Sequence, residues 1–176
     1  MKKFFEDVLK LPYKGNSQDN PAHENQVEEL LIKHELKYVA QPNGTQNSPD
    51  FHVYYNDIII SLECKSGVGP KPMYNSGLPK KGVIYIFSSK KYNKTTIYYA
   101  DDVVSDEMRE TYDALIADLD KVVKEFQNKL IVKRCTRGFN FYMRAMYTQA
   151  GEWMVTDYFK HKNREMCEQN VLNTEW

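Results

Sequence analysis

Apolar and polar positions alternate with a period of two through residues 51–64, interrupted once by Asn56-Asp57. One set, Phe51, Val53, Tyr55, Ile58, Ile60, Leu62 and Cys64, is apolar throughout. That period is the signature of strands buried on one face, and Phe, Val, Tyr and Ile suit a pleated sheet. Asn and Asp tolerate positive φ, so Asn56-Asp57 predicts a two-residue hairpin turn. With Tyr55 opposite Ile58, the register runs back to Phe51 opposite Leu62 and Asp50 opposite Glu63. Lys65 then shares the face of Glu63.

The remaining pattern predicts a short helix or arm and a polar loop over residues 1–19, then a helix over 22–36 started by Asn20-Pro21. Val27, Leu30, Leu31 and His34 form its apolar stripe. Residues 38–41 read as a short extended piece, and 42–48 as a loop turning at Asn43-Gly44. Residues 66–82 hold four glycines and three prolines and read as a long loop. Residues 83–87 are a continuous apolar run suited to a central strand, and 95–100 form the next strand after a polar turn at 90–93. Ser105 caps a helix to about residue 130, whose Met108, Tyr112, Leu115, Leu119, Val122 and Phe126 recur at spacings of four and three. Core packing is the expected use of that stripe, with a dimer contact as the second. Residues 139–147 alternate as a strand, and a terminal helix is expected from residue 151, with Trp153, Tyr158 and Phe159 apolar.

Opposed residues on paired strands have Cβ atoms about 4.5–5.5 Å apart. Asp50 and Glu63 at that separation repel unless a cation or a proton lies between them. Two readings are open: a turn residue with a solvated strand edge, or a divalent-metal site with a lysine beside it. Carboxylate oxygens and water are hard ligands of the kind Mg²⁺ takes. Glu24 points towards the core at the N-terminal end of its helix, where the helix dipole favours a carboxylate whatever its role.

Pro49-Asp50, twelve residues, then Glu63-Cys64-Lys65 resembles the PD-(D/E)xK nuclease signature. The run Gln41-Pro42-Asn43-Gly44-Thr45-Gln46-Asn47-Ser48-Pro49-Asp50-Phe51 is similar to the approach to the active site in a subset of type II restriction endonucleases. The specific part of the resemblance covers residues 24–65. It implies an α/β, restriction-endonuclease-like core, a central mixed β-sheet flanked by helices. It also implies Mg²⁺-dependent hydrolysis of double-stranded DNA to 5′-phosphate ends, as in a type II restriction system. By the same resemblance, Asp50 and Glu63 hold one or two Mg²⁺ ions, with Mn²⁺ able to substitute, and the Cys64 carbonyl is a further ligand. Glu24 approaches the metal directly or through water, with Glu28 one turn on as the fallback. Lys65 positions the attacking water. The superfamily also includes junction resolvases, repair nucleases and inactive members. The alternatives are therefore a structure-specific or nicking nuclease, or a catalytically silent DNA-binding module. A homodimer matched to a palindromic site and a cognate DNA methyltransferase are the expected protein partners.

At 176 residues the chain is read as one domain, residues 1–176. Lys and Arg equal Asp and Glu at 24 each, which is unusual for a nucleic-acid binder. The charges are segregated, however. Residues 101–120 carry eight acids against Arg109, while 129–144 carry Lys129, Lys133, Arg134, Arg137 and Arg144 with no acid. Candidate DNA contacts are Gln46 before the aspartate, Lys71, Tyr74, Asn75 and Ser76 in the long loop, and Arg134, Arg137, Asn140 and Arg144. Arg favours guanine and Asn adenine, and lysines hold phosphates. Each has a bland alternative as a solvated loop or strand face. Cys64, Cys135 and Cys167 are far apart and lack CxxC spacing, which predicts reduced thiols in a cytoplasmic setting and no structural zinc. No apolar run approaches the ~20 residues of a membrane span, and Glu6-Asp7 break the first apolar pair, so neither a membrane anchor nor a secretory signal is expected.

Overall fold

The computed structural model describes residues 1–15, 21–45, 47–75, 77–132, 141–148 and 157–176. In chain order these form α1 (Lys2–Val8), α2 (Pro21–Lys33), β1 (Lys37–Ala40), β2 (Phe51–Tyr55), β3 (Ile58–Gly67) and β4 (Met73–Tyr74). They continue as β5 (Val83–Ser89), β6 (Lys94–Tyr99), α3 (Ala100–Val103), α4 (Asp106–Val132), β7 (Tyr147–Thr148), a 3₁₀ turn at Tyr158–Lys160 and α5 (Arg164–Leu172).

The hairpin forms in the predicted register, Tyr55 opposite Ile58 through Phe51 opposite Leu62. Asn56 and Asp57 both take positive φ, +47° and +62°, as a two-residue turn between twisted strands requires. β1 adds antiparallel to β2, β3 runs parallel to β5, and β5 pairs antiparallel with β6. The result is a mixed five-stranded sheet ordered β1-β2-β3-β5-β6, with β4 and β7 as a separate two-stranded ribbon. This is an α/β fold with a central mixed sheet flanked by helices.

Every residue of β5 is buried, as expected for a strand covered on both faces. On one face Phe4, Phe5 and Val8 of α1, Val27 and Leu31 of α2, and Val171 and Leu172 of α5 pack against Phe51, Val53, Ile60, Leu62, Ile84, Ile86 and Ile97. Asp7 joins α1 to the end of α2 by accepting from Lys33 at 2.8 Å and His34 at 3.1 Å. On the other face, Tyr85, Phe87 and Tyr98 form a second cluster with Tyr74, Tyr158 and Cys167.

The structure corrects several expectations. α2 stops at Lys33 rather than at 36, because Glu35 enters the left-handed region (φ +55°) and Leu36 N closes back on Leu31 O. Ser105 caps α4 as predicted, its Oγ accepting from Met108 N at 3.2 Å. The α4 stripe, however, is not core: its six apolar residues are 37% to 64% exposed. Periodicity reports that a helix has an apolar face, not what that face meets. Residues 141–146 form no strand, and only Tyr147–Thr148 pair, with β4. The terminal helix begins at Arg164, because the polar run 160–163 supplies no stripe, and Cys167, Val171 and Leu172 are the side chains it buries. Trp153 lies outside the described residues. Among the described residues no helix is long and apolar enough to cross a membrane.

Candidate active site

Asp50 stands one residue before β2 and is held twice. Its carbonyl accepts from Gln41 N at 2.7 Å, at the end of β1. Its Oδ2 accepts from the backbone N–H of Cys64 on β3 at 2.6 Å. One step of the hairpin register beyond Phe51–Leu62 brings these two strand ends together. Glu63 is buried; its Oε1 accepts from Lys65 Nζ at 2.6 Å, and its Oε2 has no hydrogen-bond partner among the described residues.

The electrostatics join these groups to α2. Burial, and after it the neighbouring Glu63, push the Asp50 carboxyl up to about 7, against the Cys64 N–H and Lys65. Burial and then Glu63 also raise Glu24, in the first turn of α2, with Lys65 opposing. Three acids therefore share one ammonium in a poorly solvated place. Glu28 does not belong to this group. Tyr38 of β1 donates to its Oε1 at 2.8 Å, which removes it as the fallback ligand.

Among the described residues, no group of three or more His, Cys, Asp or Glu side chains is gathered to hold a metal. The pair Asp50 and Glu63 nevertheless fits Mg²⁺ by the chemistry of its donors. Both offer hard oxygens, one buried oxygen of Glu63 lacks any partner, and Asp50 is held from ionising by negative charge alongside. A cation resolves both. The Cys64 thiol is buried, belongs to the apolar face and is raised by that burial, so only its backbone can serve the site.

Tyr85 was not singled out from sequence and belongs here. It pairs with Glu63 in the parallel register, so the two share a face. Its Oη accepts from Lys80 N at 3.0 Å, and its ring stacks on Tyr98. A parallel neighbour leaves no local sequence signal, since the connection between such strands is long.

The candidate DNA contacts divide. Tyr74 is buried, shares a 2.8 Å hydrogen bond with Tyr98 Oη and packs edge-on against Tyr85. It is a core residue, turned inward by β4, and not a surface contact. Asn75 and Arg144 are both exposed, and Arg144 Nε donates to the Asn75 carbonyl at 2.7 Å. Together with Gly77, Asp113, Ile116 and Tyr147 they line a cleft of about 380 Å³. Lys71 and His52 are half-buried. Gln46, Ser76, Arg134, Arg137 and Asn140 lie outside the described residues.

A scan against protein-family models, a search of the curated proteins and a search of the solved structures each find nothing that matches the chain.

Proposed function

We propose that the chain is a Mg²⁺-dependent, site-specific DNA endonuclease with a restriction-endonuclease-like core. The observation that carries this reading is the set at the β2–β3 end. Asp50 is pinned by the Cys64 N–H, beside a buried Glu63 with one unsatisfied oxygen and Lys65 Nζ at 2.6 Å from the other. A solvated strand edge has no use for a buried carboxylate that lacks a partner, which costs free energy.

Asp50, Glu63 and the Cys64 carbonyl would hold the metal. Bound there, Mg²⁺ lowers the pKa of its water and offsets charge on the phosphate. Lys65, whose side chain is the more exposed of its ion pair with Glu63, orients the attacking water and stabilises negative charge at the phosphate oxygens. Glu24 orders solvent at the edge of the site. Water adds in line to phosphorus, the P–O3′ bond breaks, and the products are a 5′-phosphate and a 3′-hydroxyl. Asn75 and Arg144, joined at one cleft, carry the side-chain types that read adenine and guanine.

The test is a digest of unmethylated phage DNA with Mg²⁺, with EDTA, and with Lys65→Ala in Mg²⁺. Discrete bands in the first reaction alone support the reading. A Mg²⁺-dependent smear or nick replaces it with a structure-specific nuclease. DNA retention in a gel shift with no cleavage in any reaction replaces it with a binding module.

A further inference from the structure

Helix α4 is 27 residues long, and none of its described side chains is buried. Met108, Tyr112, Leu115, Leu119, Val122 and Phe126 lie along one line of it, 37% to 64% exposed. Their spacing is four, three, four, three, four: two apolar positions per heptad. That is the narrow seam of a two-helix coiled coil, whereas a helix resting on a globular core needs a wider stripe. The side of α4 that faces the rest of the chain is a different one. Arg109 anchors its base to Asp101, Asp106 and the Pro79 carbonyl, Ile116 lines the cleft described above, and Gln127 donates to the Phe141 carbonyl. Of the six seam residues, Tyr112 also meets the edge of the Tyr147 ring at 5.2 Å.

The seam is symmetric about the level of Ala117. Met108 mirrors Phe126, Tyr112 mirrors Val122, and Leu115 mirrors Leu119. A second α4 running antiparallel across a two-fold axis at that level therefore sets every seam residue against a seam residue. Charge selects the same orientation. Residues 106–120 carry Asp106, Glu107, Glu110, Asp113, Asp118 and Asp120 against Arg109, while 121–132 carry Lys121, Lys124 and Lys129 against Glu125. Antiparallel pairing lays the acidic half over the partner's basic half, whereas parallel pairing lays acid over acid. The seam covers about 500 Å² per copy and about 1,000 Å² for the pair, the lower bound for a specific interface, so the dimer is concentration-dependent.

We propose that α4 is a homodimerisation helix, packed antiparallel on α4 of a second copy of this chain. The proposal rests on exposure, spacing and charge, and stands independently of the nuclease reading. It is tested on the full chain by light scattering and sedimentation equilibrium across micromolar protein. The parent is expected to move from monomer to dimer mass. Leu115→Glu with Leu119→Glu, both at exposed sites, should keep the circular dichroism spectrum and raise the dimer dissociation constant at least ~100-fold by burying charge in the seam. Orientation is read with a short thiol-reactive cross-linker in a Cys135→Ser background, since Cys64 and Cys167 are buried. Met108→Cys with Phe126→Cys should give a covalent dimer, and Met108→Cys alone should not, because its two copies would lie about 27 Å apart along the axis. A parent that stays monomeric, a dimer that survives the paired glutamates, or cross-linking by Met108→Cys alone would each overturn the proposal. The first of these would leave the stripe to another protein or to another segment of the chain.

Discussion

Lys65 Nζ donates to Glu63 Oε1 at 2.6 Å, two residues along β3, with the lysine side chain 29% exposed and the glutamate 8%. The ammonium sits at the rim of the site and the carboxylate inside it. A cation that only neutralised Glu63 would influence stability, whereas one at the rim meets water and phosphate. Lys65→Ala is therefore expected to lower single-turnover cleavage about 10²–10³-fold or more, while DNA retention in Ca²⁺ stays near that of the parent. Lys65→Arg keeps the charge but not its position, and should recover only part of the loss. Parent-like rates in Lys65→Ala would remove the residue from the mechanism.

The Asp50 carboxyl, raised to about 7 by burial and Glu63, sets a pH dependence in the metal-free protein. The unfolded carboxyl titrates near 3.9. Between those two values the folded state holds the extra proton, so stability falls as pH rises through that window, and the full penalty stands above 7. Asp50→Asn has no charge to bury. In EDTA at pH 8 it should be more stable than the parent, by on the order of 2 to 4 kcal/mol, with the gap closing towards pH 4. Urea unfolding at the two pH values measures it. Mg²⁺ should stabilise the parent at pH 8 and leave Asp50→Asn nearly unchanged.

Glu24 and Glu28 lie one turn apart on α2, and the structure separates them. Glu24 is raised by burial and by Glu63, whereas Glu28 accepts from Tyr38 Oη at 2.8 Å. Glu24→Gln is expected to lower cleavage about 10–100-fold, the usual cost of losing a group that orients ligands or solvent at a metal site. Glu28→Gln should leave the rate intact and cost about 1 kcal/mol of stability through the Tyr38 bond. Equal loss of rate in both variants would contradict the division.

What could be read from sequence follows the range of the physics. The β2–β3 hairpin and its register were legible because Asn56-Asp57 and the period of two are local signals. The juxtaposition of Asp50 with β3 followed from that register, and the Cys64 N–H to Asp50 bond is its extension by one step. Tyr85 was not legible as a neighbour of Glu63, because parallel pairing of β3 with β5 is set by tertiary packing across a long connection. The stripe on α4 was legible as a pattern and misread as core, because periodicity carries no record of the partner. Residues 141–146 alternate like a strand, yet only Tyr147–Thr148 find an edge to pair with.

Tyr74 shows the same limit within one side chain. Its place in a Gly- and Pro-rich loop suggested a DNA contact, but its Oη shares a 2.8 Å hydrogen bond with Tyr98 Oη, with both rings buried. Tyr74→Phe should leave DNA affinity unchanged and cost about 1–3 kcal/mol, because it strips the Tyr98 hydroxyl of this partner. Tyr98→Phe should cost a similar amount by the converse. The double variant removes both hydroxyls, and its cost should be well below the sum of the two single changes. Chemical unfolding of the four proteins, with DNA retention measured in parallel, checks the cycle. Additive losses would mean that the two hydroxyls are satisfied independently, and a drop in DNA affinity for Tyr74→Phe would return the residue to the substrate surface.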